Sequence, residues 1–275
     1  MTSQYDKATH FKALHAQAGA FVIPNPWDAG TAMMLAQMNY KALATTSAGF
    51  AFSIGRSDAG GAVSRDEALT HARIIVAAAD LPVSADLENG FGDTPAACAE
   101  TIRRAADAGL VGGSIEDAGN QGDGSIYPFD LAVGRVSAAV AAAHALPFPF
   151  TLTARAENFL YGRPDLADTI RRLKAFADAG ADVLYAPGLT TREEIAAVVQ
   201  AVAPKPVNVV MGLAGATFSV AELGALGVKR ISLGSAFARA AYGAFLRAAR
   251  EVATAGTFGF AKEAVPFGEI NEMFR

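Results

Sequence analysis

The amino-acid sequence predicts a (β/α)8 barrel (TIM barrel), built as one domain over residues 1–275 with a helical tail at the C-terminus. Eight short apolar segments alternate with longer alanine-rich segments along the chain. Several of the alanine-rich segments end in glycine just before the next apolar segment. Eight such units within about 250 residues fit a closed barrel better than an open doubly wound sheet.

The apolar segments are continuous rather than alternating, as expected for strands that are buried on both faces. We place the strands at residues 21–24, 42–46, 82–87, 111–115, 149–154, 182–186, 206–211 and 228–233. Between them apolar residues recur three or four positions apart, as Ile170 and Leu173 do, which is the spacing of a helix face. Gly109, Gly180 and Gly227 follow predicted helices, where a residue with positive φ commonly ends the helix.

Composition excludes several classes of protein. The chain has 23 Lys and Arg residues against 27 Asp and Glu, a net charge of −4, and 52% of its residues are hydrophobic. Disorder is excluded, and without a basic run nothing supports nucleic-acid binding. The single cysteine, Cys98, cannot form an internal disulfide. No secretory leader is recognisable and no apolar stretch approaches the ~20 residues of a membrane span, so we expect a soluble cytoplasmic protein that binds no membrane.

Two connections, at 47–65 and 118–130, are long for a compact domain. The first is rich in Gly, Ser and Asp, and the second contains three glycines. Loops of this length are usually functional lids or disordered segments. Both follow the carboxyl end of a predicted strand, which is the face on which barrel active sites form.

Polar residues gather at the same carboxyl ends. They are Asn25, Ser47, Asp86, Glu88, Glu116, Asp117, Arg155 and Glu157, with Asn208 inside the seventh strand. Several carboxylates facing one another repel unless a cation neutralises them. Because no histidine or cysteine lies at these positions, the ligand set is all oxygen, which favours Mg²⁺, or Mn²⁺, over zinc.

Asp86 and Glu88 lie two residues apart, so in a strand both carboxylates would face the barrel axis. An acidic residue at a strand end often only caps the next helix. Two charges turned inward without a ligand would be costly, however, so we interpret the carboxylates as a group.

Arg155 stands in an otherwise neutral strand and needs an anionic partner. That partner could be Glu116, Glu157 or a substrate carboxylate bound in a bidentate manner. The turn Ser47-Ala48-Gly49 offers a hydroxyl and successive backbone N–H groups, a plausible anion site, although such a turn is also an ordinary strand exit.

Five segments together resemble the isocitrate lyase/phosphoenolpyruvate mutase superfamily. They are Ser-Ala-Gly-Phe at 47–50, Gly-Arg-Ser-Asp at 55–58, Asp-Leu-Glu-Asn-Gly-Phe-Gly at 86–92, Gly-Ser-Ile-Glu-Asp at 113–117 and Thr-Ala-Arg at 153–155. They occur in the order typical of the superfamily and span nearly the whole chain. The combination of the 86–92 element with Glu-Asp one strand later is the specific part.

The resemblance implies a Mg²⁺-dependent barrel enzyme that acts on 2-oxo acids or α-hydroxy dicarboxylates. Asp86 would be the main direct metal ligand, and Asp58, Glu88 and Glu116 would hold metal-bound waters. The substrate would be bound by Ser47, by the amides of Ala48 and Gly49, by Arg155 and by Asn208. Among these residues we expect the catalytic set to be Arg155, Ser47, Asp58 and Glu116.

The resemblance also implies tetramers, each a dimer of dimers, in which the last barrel helix is exchanged between neighbouring subunits. The predicted helix at 235–253 and the tail that follows it are long enough for such an exchange.

Departures from the superfamily pattern narrow the expected reaction. The cysteine-dependent lyases carry Lys-Lys-Cys-Gly-His on the lid after strand 4, whereas 118–128 here has no Lys, Cys or His, and Cys98 falls in a predicted helix as a core residue. Phosphoenolpyruvate mutases carry Lys after the Glu-Asp pair; here Ala118 follows, and Asn120 is the only partial match.

The interpretation we favour is a C–C lyase or decarboxylase for an oxaloacetate-like or substituted malate-like acid, acting through a metal-stabilised enolate. The alternatives are a phosphonomutase of the phosphoenolpyruvate or carboxyphosphonoenolpyruvate type, or a non-catalytic metabolite-binding barrel. Tyr127, Tyr185 and Ser125 are candidate proton donors.

Overall fold

The computed structural model describes residues 2–58, 61–119, 125–212, 215 and 217–275, and within them it contains one sheet of eight parallel strands. The strands are β1 (Phe21–Ile23), β2 (Leu43–Ala44), β3 (Val83–Asp86), β4 (Gly112–Glu116), β5 (Thr151–Arg155), β6 (Val183–Tyr185), β7 (Val207–Val210) and β8 (Arg230–Ser232). Their order is β1-β8-β7-β6-β5-β4-β3-β2, so every strand from β2 to β8 lies beside its neighbour in the chain and β8 pairs with β1.

The helices alternate with the strands. They are α1 (Gln4–Ala16), α2 (Ala29–Gln37), α3 (Ser47–Ser53), α4 (Arg65–Ala78), α5 (Pro95–Asp107), α6 (Phe129–His144), α7 (Leu166–Asp178), α8 (Arg192–Val202), α9 (Val220–Ala225), α10 (Ala236–Ala255) and α11 (Phe267–Glu272), with a short 3₁₀ helix at Gly259–Lys262. This arrangement is a nearly closed (β/α)8 barrel, so the predicted fold class is confirmed.

The remaining seam, between β1 and β2, is joined by single hydrogen bonds rather than by a ladder. The Ala44 amide donates to the Pro24 carbonyl at 3.0 Å. Asn25 donates through Nδ2 to the Thr45 carbonyl, and its Oδ1 accepts from the amides of Leu233 and Gly234, each at 2.9 Å. Asn25 therefore ties β1 to the segments that follow β2 and β8, a structural role for a residue that the sequence marked only as polar at a strand end.

Local sequence explains where most helices begin and end. Ser64 and Glu67 form a capping box at the start of α4, and Thr94 caps α5, which has proline in its first turn. Gly109 and Gly180 take φ of +88° and +105° after α5 and α7, as predicted for helix-ending glycines. The four histidines lie in α1, α4 and α6, away from the carboxyl ends of the strands.

Helix α1 closes the amino-terminal face of the barrel. Its buried residues Ala8, Phe11 and Leu14 form a small core with Ile23 and Val111, separate from the main core between the sheet and the outer helices. A Cβ on Gly112 would lie only 2.9 Å from the Phe11 ring, so only glycine at position 112 leaves room for this packing. No helix in the described ranges is long and apolar enough to cross a membrane.

Two predicted connections differ from the expectation. The stretch at 47–65 contains α3, because Thr46 ends the strand segment and caps a helix by accepting from the Gly49 amide. In the second, Ala118 and Ile126 form an isolated antiparallel bridge, and the Gly119 amide donates to the Ser125 carbonyl at 2.9 Å. The part of this candidate lid at 120–124, including Asn120, lies outside the described residues.

Candidate active site at the carboxyl ends of the strands

Arg155, the last residue of β5, binds three carboxylates at the mouth of the barrel. Nη1 lies 2.9 Å from Asp86, Nη2 lies 3.2 Å from Glu116, and Nε lies 2.7 Å from Glu157. Glu116 is opposite Arg155 in the β4–β5 register, and Glu157 follows two residues later in the chain. Of the partners that the sequence suggested for Arg155, the structure brings both glutamates to it and adds Asp86.

Asp86, the last residue of β3, accepts hydrogen bonds from several directions. Ser47 Oγ donates to Oδ2 at 2.9 Å, while Arg155 Nη1 and, at 3.4 Å, Ser114 Oγ donate to Oδ1. The backbone is fixed as well, since the Asp86 amide donates to Thr45 Oγ1 at 3.0 Å. Asp86 is therefore the carboxylate shared by the serine and the arginine that the sequence analysis assigned to substrate binding.

Ser47 and Ala48 lie in the first turn of α3, so the segment after β2 is the start of a helix and not a simple strand exit. Gly49 differs from the expectation, because its amide already donates to the Thr46 hydroxyl at 3.2 Å. A Cβ at Gly49 would approach Thr46 Cγ2 to 2.5 Å, so packing requires the glycine. Its amide serves the helix cap, which leaves Ser47 and Ala48 as the candidates for anion contact.

Glu88 reaches the site by a different backbone path from the predicted one. The strand ends at Asp86, and Glu88 adopts a left-handed conformation with φ of +49°, so the alternation of a strand does not orient it. Burial, followed by repulsion from Asp86 and Asp58, raises the pKa of Glu88 to about 8. Asp58 is exposed at the surface, yet partial desolvation and then the charge of Asp86 raise its pKa as well. The two carboxylates are therefore close to Asp86, as the sequence grouping required.

Glu116 and Glu157 are the buried pair of the site. Burial raises the pKa of both, and the Arg155 guanidinium opposes that rise. Asp117 stands behind them, where its carboxylate accepts from the Glu157 amide at 2.8 Å and from Arg172 Nη1 at 3.1 Å. Asp117 thus connects β4, the end of β5 and α7, and holds Glu157 in position.

Below the mouth the barrel interior is polar. A cavity of about 60 Å³ is bordered by Asp86 and Arg155 at one end and by Arg230 at the other. Asn208 lies on its wall, but Nδ2 donates to Ser232 Oγ at 3.0 Å and Oδ1 accepts from Arg230 Nε at 2.9 Å. Asn208 therefore orients Arg230 in this structure, and the second N–H group of its amide keeps its expected part in substrate binding a prediction.

Sequence reasoning missed two residues here. Arg230 begins β8 and is buried, yet nothing in its local sequence separates it from a surface arginine. Tyr161 follows β5 in an irregular segment, and burial together with the charges of Glu116 and Glu157 raises its pKa to about 12. Its closeness to both glutamates depends on the fold of that segment, which carries no periodic signal.

Two of the candidate proton donors from the sequence, Tyr127 and Tyr185, lie in different parts of the barrel mouth. The Tyr127 hydroxyl donates to Asp93 at 2.5 Å and accepts from Asn89 at 3.0 Å, which ties it to the loop after β3. Tyr185 lies opposite Arg155 in the β5–β6 register, with its ring 5.2 Å from the guanidinium. Cys98 is fully buried in α5 with Sγ 3.7 Å from the Asn89 carbonyl, so the prediction of a core cysteine is confirmed.

The donor set suits a divalent cation held mainly through water. In the described ranges no three His, Cys, Asp or Glu side chains are arranged to hold a metal ion directly. Five carboxylates nevertheless surround the single guanidinium of Arg155, and burial, followed by repulsion from Asp86 and Asp58, raises the pKa of Glu88 among them. Mg²⁺ commonly keeps several waters and takes only one or two carboxylates, so the residues around Asp86 fit such an ion.

Residues 11–253 match the model of the phosphoenolpyruvate phosphomutase family. The crystal structure of a Burkholderia cenocepacia J2315 protein, provisionally described as a lyase/mutase, has 62% sequence identity and a TM-score of 0.95, over 98% of this chain and 96% of that one. The crystal structure of 2,3-dimethylmalate lyase has 28% identity and a TM-score of 0.87, over 99% and 95% of the two chains. Oxaloacetate decarboxylase of Paraburkholderia xenovorans LB400 is 30% identical over 57% of this chain and 51% of its own length.

The structure is therefore a TIM barrel whose mouth sets carboxylates around one arginine, and the relatives that share this barrel are enzymes that process small carboxylates. The chain belongs to the phosphoenolpyruvate phosphomutase family, within the PEP mutase/isocitrate lyase superfamily, which confirms the resemblance seen in the sequence. Members of that superfamily are lyases and mutases, and they use a divalent metal.

Proposed function

We propose that this chain is a Mg²⁺-dependent C–C lyase or decarboxylase of the cytoplasm, acting on a 2-oxo or α-hydroxy dicarboxylic acid of the oxaloacetate or substituted malate type. The observation that carries the proposal is the position of Arg155, fixed by three carboxylates at the carboxyl ends of β3 and β4 and just after β5. The names of two relatives, a 2,3-dimethylmalate lyase and an oxaloacetate decarboxylase, support the same substrate class.

The proposed reaction uses the residues around Asp86. Ser47 Oγ and Arg155 Nη1 both donate to this carboxylate. A substrate carboxylate entering beside it would take over the Ser47 hydroxyl from Asp86 and meet the remaining N–H groups of the Arg155 guanidinium. For an oxaloacetate-like acid, the bond between the carbon next to the carbonyl and its carboxylate breaks, CO₂ leaves, and the electron pair becomes an enolate. For a malate-like acid, the hydroxyl gives its proton to one of the carboxylates of the site as the bond from the hydroxyl-bearing carbon to its neighbour breaks. This releases a 2-oxo acid and leaves the electron pair as the enolate of the second product. Arg155 is held in place before that charge forms, which is the condition for electrostatic stabilisation. A divalent cation at Asp86, with Asp58, Glu88 and Glu116 around it, would add positive charge at the same oxygen.

The product needs one proton on carbon, and Tyr161 is the donor that we propose. Its phenol, with a pKa of about 12, is protonated at neutral pH and lies near Glu116 and Glu157. Cys98 does not suit that role, because it is buried in α5 with its thiol on the Asn89 carbonyl. The reaction is therefore proposed to run without a catalytic cysteine.

A phosphonomutase is the second candidate, since the matching family model is that of phosphoenolpyruvate phosphomutase. Against it, Ala118 stands where mutases carry lysine, and a phosphoryl group bears more negative charge than so few cations can neutralise.

The proposed enzyme is a homo-oligomer, a dimer of dimers, in which α10 packs on a neighbouring barrel. Only Ala238 is buried among the 20 residues of α10, although this helix follows β8, where the eighth barrel helix belongs. Phe245 is 66% exposed, and with Leu246, Tyr242 and Phe52 it borders an open apolar groove. Light scattering should give a mass of several subunits, and the double variant Phe245→Asp/Leu246→Asp should shift it towards one. An unchanged mass in that variant would refute the exchange.

The activity is tested by following oxaloacetate, 2-methylisocitrate, 2,3-dimethylmalate and phosphonopyruvate by ¹H and ³¹P NMR with Mg²⁺. Pyruvate or succinate release above the rate with Mg²⁺ alone supports the proposal, and Asp86→Ala is the matched control. Turnover of phosphonopyruvate alone would establish the mutase instead. Retained Mg²⁺ binding with no turnover of any compound would favour a non-catalytic binding barrel.

A further inference from the structure

A second cavity, of about 280 Å³, lies on the amino-terminal face of the barrel, opposite the mouth. It is bordered by Lys12 and His15 of α1, by Thr151 and Val183 at the starts of β5 and β6, and by Asp182 and Pro206. Thr151 and Arg155 are the two ends of β5, which places this cavity about 13 Å from the candidate active site. It is a separate compartment that the proposed reaction does not use.

Two buried polar side chains face this cavity. Thr151 is 3% exposed, and its hydroxyl has no hydrogen-bond partner among the residues that the structure describes. His15 is 8% exposed, with Nδ1 at 2.8 Å from the Phe11 carbonyl and Nε2 at 3.5 Å from Arg230 Nη1. A buried hydroxyl without a partner is unusual in a native protein, and a ligand oxygen would supply the missing acceptor.

The charge around the cavity is positive. Lys12, Lys205, Lys229 and Arg230 lie on or near its walls, and none makes an ion pair with a carboxylate in the described ranges. Lys205 and Lys229 donate to backbone carbonyls, and Arg230 donates to Asn208 and Thr153. The facing carboxylate is Asp182, which accepts from the Leu152 amide at 2.8 Å.

The remaining walls are apolar, formed by Ala16, Val183, Pro204 and Pro206. An inorganic anion would leave these walls without contact, whereas an organic anion would cover them. The volume is just below the usual range for drug-sized ligands, so the ligand has only a few heavy atoms.

We propose that this cavity binds a small organic carboxylate. Its oxygens face Lys12 and the Thr151 hydroxyl, and its short apolar body lies against Val183 and Pro206. The His15 ring then lies between the ligand and Arg230. Arg230 also borders the interior cavity beneath Asp86.

The test is a titration with isobutyrate, followed by ligand-observed NMR, with neutral isobutyramide and inorganic phosphate as comparison ligands. We expect isobutyrate to bind at millimolar concentration, more tightly than either comparison ligand. Lys12→Met should weaken it about tenfold, since a charge-assisted contact is lost. Lys12 is exposed on α1, so this variant should fold. Lys174→Met, which removes an exposed lysine of α7, is the matched control and should leave binding unchanged.

Two further variants locate the bound molecule. Ala16→Phe, made at an exposed position of α1, should fill the cavity and abolish binding, and Ser47→Ala at the opposite face should not affect it. Loss of binding in Ser47→Ala, with normal binding in Lys12→Met, would place isobutyrate at the mouth and refute the proposal. Tighter binding of phosphate than of isobutyrate, or no isobutyrate binding by the wild type, would also refute it.

Discussion

The buried imidazole of His15 should make the stability of this protein depend on pH in the mildly acidic range. Burial, followed by the charges of Arg230 and Lys229, lowers the pKa of His15 from 6.5 to about 3. The unfolded chain therefore takes up a proton below pH 6.5 that the folded chain accepts only near pH 3. The free energy of unfolding is unaffected above pH 6.5 and falls as the pH is lowered from there.

The size of the effect follows from the two pKa values. At pH 5 the solution is about 1.5 units below the His15 pKa of the unfolded chain, while the folded chain remains unprotonated. At about 1.4 kcal/mol per unit, the free energy of unfolding falls by about 2 kcal/mol. Because the side chain is 8% exposed, solvent screening does not reduce this figure substantially.

Urea unfolding at pH 7.5 and pH 5.0 measures the effect, with wild type compared against His15→Gln. Other groups titrate in the same range, so the informative quantity is the difference between the two proteins at each pH. The wild type should lose about 2 kcal/mol more than His15→Gln on going to pH 5.0. His10→Gln, at an exposed position of the same helix, is the control and should behave as the wild type. Equal losses in wild type and His15→Gln would refute the reasoning.

Three further predictions concern the mouth of the barrel and its surroundings. Asp86→Ala should remain folded by circular dichroism but lose Mg²⁺ binding by calorimetry. Its activity should fall about a thousandfold, because several kcal/mol of charge stabilisation in the transition state is lost. Unchanged activity would contradict the role assigned to Asp86. Tyr161→Phe should lower kcat by about 10²-fold or more with little change in KM, since it removes a proton donor and no binding group, and an unchanged kcat would eliminate Tyr161 as the donor. Cys98→Ala should keep full kcat while unfolding about 1 kcal/mol more easily, and a well-folded but inactive variant would show that the buried thiol takes part in catalysis.

Much of the site could be predicted from the sequence because strand ends in a parallel barrel converge on one face. Asp86, Glu116 and Arg155 are the last residues of β3, β4 and β5, and a pattern of buried strands was enough to bring them together. The local path at Glu88 could not be predicted, since a left-handed residue directly after a strand has no signal in the residue types around it.

Contacts between distant parts of the chain were also beyond sequence reasoning. His15 and Arg230 are 215 positions apart, and each belongs to an element that by itself resembles any other helix or strand. The pairing of the Asn208 amide with Arg230 and Ser232 likewise depends on the register of β7 and β8, which the apolar pattern alone leaves undetermined.

The near absence of buried side chains in α10 has a consequence for how the protein behaves at different concentrations. In the proposed oligomer, a helix that buries one alanine in its own subunit gains much of its stability from the neighbouring barrel that covers its other face. In a dilute solution this helix should be the first element to open, and a protease should cut there before it reaches the barrel. The apparent melting temperature should therefore rise with protein concentration, as it does when association and folding are linked.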